Sequence, residues 1–188
     1  MRASETLSVE TMRLCLRPVR AADAARTAEL VTPDVSDNLL TWPWPMSRAA
    51  AAERIRVAQA RLRARRAVNF AIIAKDDGQL VGWMGLTLEA DGSARLGYWL
   101  GSQYRNRGLT REAARSAIPP AADYLGIDEV IAEVFERNAA SIAVLEALGF
   151  RRLGPCEILV PRTQRAEQGW RYALRVDPAR PPSAPKGA

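Results

Sequence analysis

In YRNRGLTREA, residues 104 to 113, Gly108 sits among Arg105, Arg107 and Arg111, and a helix-like pattern follows. A helix start offers unpaired backbone N–H groups and the positive end of a dipole, which together make a ready anion site. Gly108 lets a bulky anion approach the backbone. Arg105 and Arg107 can add charge-assisted hydrogen bonds. The strand pattern ARLGYWLG leads straight into this turn, so a phosphate held there would lie at the end of a sheet strand. The same residues would also serve as an arginine-rich helix cap with no ligand.

A second cluster lies in VFERNAASIAVLEALGF, residues 134 to 150. Asn138 closes a strand pattern and Ser141 follows three residues later, at the start of a helix pattern. Asn is a favoured N-cap, and Ser141 would sit in the first turn. Capping does not exclude a second task, because the position faces whatever lies between two adjacent strand ends.

Composition narrows the chemistry. The chain has 188 residues, 48% apolar and 26% charged, which fits one globular domain. It contains no histidine, which removes His-based zinc sites, Ser-His-Asp triads and imidazole bases together. Carboxylates, hydroxyls, backbone amides and arginines remain. Cys15 and Cys156 are too few for a disulfide framework and suit no metal site. No apolar run approaches the roughly 20 residues of a membrane span. The start carries acids and no apolar core, unlike a secretory signal, so a cytoplasmic protein is expected. Net charge is +6, from 27 basic and 21 acidic residues. That suits an anionic partner, nucleic acid or a phosphorylated small molecule, or simply reflects an arginine-rich composition.

The elements that must position these residues follow from periodicity. Residues 1 to 10 read as a loose N-terminal arm. TMRLCLRPV (11 to 19) alternates as a strand, and Pro18 ends it. A helix is expected over 21 to 31. Residues 32 to 47, with three prolines and two tryptophans, read as a long loop of the kind that is usually functional. Ser47 caps a helix over 47 to 66. Strands at 67 to 75, 80 to 89 and 93 to 101 form an antiparallel meander with tight turns between them. A helix then runs to about Ile118, and Pro119-Pro120 predicts a break or strong kink. A strand at 128 to 135, a helix at 138 to 150 ended by Gly149, and a closing strand pair complete a mixed sheet with helices on its faces. The tail, 177 to 188, is proline-rich and reads as disordered.

The stretches LGYWLGSQYRNRGLTREA and NAASIAVLEALGF, with RLCLRPVRAADA near the start, resemble the GCN5-related N-acetyltransferases (GNAT). The branch they resemble is the ribosomal-protein N-terminal, RimJ/RimL-like one. The resemblance covers 11 to 176. It implies an α/β fold of the α+β mixed kind: a mostly antiparallel central sheet with helices on both faces. It also implies acetyl-CoA as cosubstrate and no metal. The family's Arg/Gln-x-x-Gly-x-Gly/Ala pattern falls on Arg105, Asn106, Arg107, Gly108, Leu109 and Thr110, whose backbone amides would hold the pyrophosphate. Tyr98, Trp99 and Leu100 would pair with the pantetheine arm, Asn138 would contact that arm, and Ser141 would sit near the thioester sulfur. Two residues depart from the pattern. Thr110 replaces a small Gly or Ala, and Asn106 stands where the branch often has glycine. Both are expected to narrow the cradle slightly, although the Thr110 hydroxyl could instead add a donor to the phosphate.

Amine acetylation needs a proton acceptor, stabilisation of the oxyanion and help for the leaving thiolate. Backbone N–H groups near Trp99 and Leu100 could serve the oxyanion, and Ser141 the sulfur. In many relatives an acid stands where this chain has Arg95, so Glu89, Asp91 and Glu133 are the candidate bases, each of which reads first as an ordinary solvated acid. Trp42, Pro43 and Trp44 either line an acceptor pocket or plug the core edge. The arginine-rich stretch 54 to 66 reads first as a solvated face and second as a surface for an acidic acceptor or a nucleic-acid-associated protein. The expected function is acetyl transfer to a primary amine, such as a protein or peptide N-terminus, by direct attack in a ternary complex. The alternatives are a small amine (antibiotic or polyamine) and a non-catalytic acyl-CoA or nucleic-acid binding module. A monomer or homodimer is expected, with no membrane association, and nucleic acid is not the favoured partner.

Overall fold

Alternation of buried and half-buried residues builds the sheet. The computed structural model describes residues 7–161 and 163–177. Eight strands run β1 (Val9–Glu10), β2 (Leu14–Pro18), β3 (Ala67–Ala74), β4 (Leu80–Leu88), β5 (Ala94–Leu100), β6 (Glu129–Phe135), β7 (Arg151–Val160) and β8 (Arg165–Arg175). Their order across the sheet is β1-β2-β3-β4-β5-β6-β8-β7. Every neighbouring pair is antiparallel except β5 and β6, which are parallel.

The helices are α1 (Ala24–Leu30), the single turn α2 (Pro33–Ser36), α3 (Arg48–Arg63), α4 (Leu109–Leu125) and α5 (Ala139–Ala147). They cover both faces. On one, Leu30 of α1 and Ile55 and Ala58 of α3 bury Ala71, Trp83 and Trp99. The Trp83 indole donates to the Thr27 hydroxyl at 3.0 Å, which pins α1 to β4. On the other face, Ala113, Ala117, Ile118 and Ala121 of α4 pack on Leu14, Phe70, Leu86 and Leu96.

The sheet, the meander and the Ser47 cap agree with the sequence reading, and Ser47 Oγ accepts from the Ala50 amide at 3.0 Å. Three expectations are corrected. The helix does not break at Pro119-Pro120, since α4 runs through both. The missing N–H groups would have bonded the carbonyls of Arg115 and Ser116, four residues back. Arg115 and Pro119 are exposed and Ser116 and Pro120 half-buried, so water can satisfy those carbonyls while the buried stripe stays intact. The expected loop at 32 to 47 contains the turn α2, with Pro33 at its first position. Within the expected arm, Leu7 is buried and β1 pairs with β2; residues 1–6 and 178–188 lie outside the described residues.

Glu112, in the first turn of α4, ties that helix to the start of β2. Its Oε1 accepts from the Thr11 hydroxyl at 2.6 Å and the Arg13 amide at 2.9 Å, and its Oε2 from Arg13 Nε at 2.7 Å. Burial alone would raise this carboxyl. The Thr11 hydroxyl and the Arg13 amide and guanidinium outweigh that and hold it below its ordinary value. The start of α4 is thereby fixed, which matters because the phosphate-loop residues end there.

Candidate active site

β5 and β6 share two ladder positions, Ala94↔Val130 and Arg95↔Ile131. Past them the strands splay, and residues 96–100 of β5 have no partner strand on that side among the described residues. A strand edge left open in this way presents unpaired N–H and C=O groups. The opening is a cleft of about 730 Å³, large enough for a cofactor-sized ligand.

At the end of β5 the chain turns into α4. Two residues of that turn take the left-handed conformation, Asn106 (φ 59°) and Gly108 (φ 72°). Asn is among the few side chains that tolerate it, so it substitutes for glycine here. A left-handed residue at a helix start gathers successive N–H groups into a concave anion site. Gly82 of β4 also bears on the turn: a Cβ there would lie 2.2 Å from the Trp99 carbonyl. Only glycine lets β5 pass this close.

The cleft brings together most of the residues singled out from sequence. Tyr98, Trp99, Leu100, Arg105, Asn106, Gly108, Leu109, Thr110, Glu133, Asn138 and Ser141 all line it. Asn138 caps α5, its Oδ1 accepting from the Ser141 amide at 3.1 Å. Ser141 Oγ lies 2.6 Å from the Tyr98 hydroxyl. Burial pushes the Tyr98 phenol up to about 12, against a smaller opposite effect of the Ser141 hydroxyl. Tyr98 is therefore neutral at ordinary pH and can donate to Ser141, leaving the serine proton for another acceptor.

The side chains of several candidates are engaged by partners of their own, and the remaining candidates lie outside the cleft. The Arg105 guanidinium is 3.0 Å from Asp34 Oδ2, bound to the α2 turn. Arg107 lies beside a smaller hollow with Met12, Arg13 and Lys75, and its carbonyl accepts from Arg13. Glu89 is outside the cleft. Arg95 bridges it to Glu133, with Nε 2.8 Å from Glu89 and Nη1 2.5 Å from Glu133. Asp91 accepts from the Ser93 amide and hydroxyl in its turn. Trp42 packs edge-on against Trp83 and Trp99, each at 5.0 Å, behind the cleft wall. Trp44 is 57% exposed. Neither tryptophan lines the cleft.

The residues missed from sequence come from the long loop and from Arg137. Asn38, Leu39 and Leu40 form a wall of the cleft. Arg137 holds that wall: it donates to Asn38 Oδ1 at 3.0 Å and to the Asp37 carbonyl at 3.1 Å, and pairs with Glu167 of β8 at 3.0 Å. These partners lie 30 to 100 positions away, and no local pattern announces them.

Comparison with known proteins agrees with this geometry. The model of the acetyltransferase (GNAT) domain matches residues 13–151. The probable N-acetyltransferase YjcK of Bacillus subtilis is 31% identical over 105 residues, 54% of this chain and 58% of that protein. The chain spans about half the length of the curated relatives it matches. Among solved structures, Mycobacterium smegmatis RimJ in complex with CoA-disulfide aligns at TM-score 0.75 and 22% identity, covering 89% of this chain and 87% of that one. The ribosomal-protein-S5-alanine acetyltransferase of Vibrio fischeri aligns at TM-score 0.80 and 18% identity, covering 93% and 99%. At these identities the structures attest the fold, while the domain match spans most of the chain and includes the splayed strands, α5 and the turn after β5. This chain belongs to the GNAT acetyltransferase family.

Proposed function

We propose that the protein is an acetyl-CoA-dependent N-acetyltransferase that acetylates a primary amine at a protein or peptide N-terminus, by direct attack in a ternary complex. The observation that carries this reading is the splay of β5 from β6, which ends at a left-handed turn and a helix start. An open strand edge suits the amide-bearing pantetheine arm, and the turn suits the pyrophosphate. Acetyl-CoA would supply the thioester.

In this reading Ser141, oriented by Tyr98, donates a hydrogen bond toward the leaving sulfur. Glu133 is the candidate carboxylate that lines the cleft, and the acceptor's proton leaves by way of it or a water it holds. Glu89 acts on it through Arg95. The Leu100 backbone N–H, on the open side of β5, serves the oxyanion, while that of Trp99 faces β4. Burial raises both cysteine thiols above their usual value. They stay protonated at neutral pH, which favours direct attack over an acyl-cysteine.

A polypeptide acceptor is favoured over a small cationic amine. Asp34, a candidate partner for such a cation, is taken up by the Thr32 and Ser102 hydroxyls and by Arg105. The RimJ and S5-alanine acetyltransferase neighbours point the same way. The test is thiol release from acetyl-CoA in the presence of free-amine peptides, with mass spectrometry locating the acetyl group. One acetyl group on the α-amine is the expected result. Acetylation of polyamines but of no peptide would overturn the acceptor class, and no thiol release with any amine would overturn the enzyme.

A further inference from the structure

The charge of this chain is concentrated in one place. Residues 48 to 66 hold seven arginines and one acid, Glu53, a net +6 that equals the formal charge of the whole chain. Taking those seven and that one from the totals of 27 and 21 leaves 20 basic and 20 acidic residues elsewhere.

Helix α3 carries this charge outward. Arg48, Arg56, Arg61 and Arg63 are exposed, and Arg65 and Arg66 extend the surface beyond the helix end. Arg56 pairs with Glu53 at 2.6 Å. Arg65 stacks on Tyr124 and donates to its carbonyl. Arg48, Arg61, Arg63 and Arg66 have no ion pair among the described residues. Five other arginines of the surface are neutralised, Arg13 by Glu112, Arg26 by Glu29, Arg105 by Asp34, Arg137 by Glu167 and Arg152 by Glu146. Arg20, Arg107, Arg111, Arg115, Arg151, Arg165 and Arg175 elsewhere in the fold are exposed with no ion pair among the described residues. What sets 48 to 66 apart is that seven arginines there face a single acid.

Helix stability explains part of this pattern. Arg61 and Arg63 stand in the last turn, where the dipole favours cations. It does not explain Arg48, the first residue of the helix, where the dipole opposes a cation. The basic helix also adjoins the cleft. Arg54 lies 4.7 Å over the Trp42 ring, and Trp42 packs against the cleft residue Trp99. The loop that enters α3 supplies Asn38, Leu39 and Leu40 to the cleft wall.

We propose that this arginine face docks an acidic segment of the polypeptide whose amine enters the cleft. The proposal rests on the amine-acetylating reading of the cleft. Nucleic acid would match the charge, but it brings no primary alkyl amine to be acetylated. The excess charge is also confined to one helix about 24 Å long and the turn just past its end, not spread along a track that could follow a phosphate backbone.

The test compares two acceptor peptides with the same N-terminus, one continuing in glutamates and the other in glutamines. KM for the glutamate peptide is expected to be about tenfold lower at low salt, with equal kcat. The advantage disappears at high salt, where exposed charges are screened. It also disappears in Arg61→Gln/Arg63→Gln/Arg66→Gln, which keeps its acetyl-CoA affinity and its rate on the glutamine peptide. A second readout needs no catalysis: fluorescence anisotropy with a labelled glutamate peptide whose N-terminus is blocked. Equal KM values together with no anisotropy change would overturn the proposal. Tighter binding of a labelled single-stranded oligonucleotide than of the blocked peptide, at matched salt, would overturn it in favour of nucleic acid. Binding of the blocked peptide with no acetylation of either free peptide would uphold the surface and overturn the reading of the cleft.

Discussion

The two walls of the cleft are built from different material. The β5 side is largely backbone: the open edge at 96–100, the left-handed Asn106 and Gly108, and the first turns of α4 and α5. The opposite side is largely side chains borrowed from a distance: Asn38, Leu39 and Leu40 of the long loop, with Asn38 held by Arg137 and the neighbouring Asp34 by Arg105 and Ser102. A backbone wall tolerates changes of side chain so long as the dihedral angles survive, and Asn106 in a glycine's conformation is an instance. A side-chain wall changes with each substitution. One wall is thus suited to an invariant ligand and the other to an acceptor particular to this chain.

The strongest way to break this contrast is Gly108→Glu. A carboxylate and a Cβ at φ 72° put strain and negative charge into the turn. Acetyl-CoA affinity in calorimetry is expected to fall about 100-fold, roughly 2.7 kcal/mol. Unchanged affinity would mean that the turn is not the phosphate site.

Ser141→Ala should lower kcat about tenfold, the size of one hydrogen bond to a developing charge. Acetyl-CoA affinity should stay within about twofold, because Asn138 still caps α5 with its own side chain. Tyr98 adds a pH condition. Its phenol, raised to about 12, remains a donor below that pH, so kcat should show no fall assignable to Tyr98 between pH 7 and about 10. The sign for stability is the same: the contribution is intact below the unfolded tyrosine value, about 10, and is lost as pH rises through about 12.

The smallest effect sharpens the contrast from the other side. Arg137→Ala releases the Asn38 wall and should raise acceptor KM about fivefold, the scale of one partly exposed charged contact. The acetyl-CoA constant should not move. Steady-state kinetics with each substrate varied in turn separates the two, and a shift in acetyl-CoA affinity alone would contradict the division of the cleft.

What the sequence made legible follows the same division. Backbone-built features repeat locally, so strand alternation, the Ser47 and Asn138 caps and the turn at Gly108 could be read directly. The prolines at 119 and 120 misled because helix propensity is local while the packing of Ala113, Ala117 and Ala121 is tertiary. Arg105 looked available for a phosphate, yet its partner Asp34 lies 71 positions away. Nothing within β5 indicates that the Tyr98 hydroxyl meets Ser141, 43 positions on. Glu89 and Glu133 looked alike as acids, and only the fold places one in the cleft and the other outside it.

The most direct measurement is calorimetric titration of the protein with acetyl-CoA at low and high salt. A micromolar dissociation constant that changes less than about threefold is expected for phosphates held by backbone amides in a cleft. No binding heat, or an affinity that collapses with salt as exposed charge pairing does, would contradict the claim that the splayed strands and the turn at Gly108 form the acetyl-CoA site.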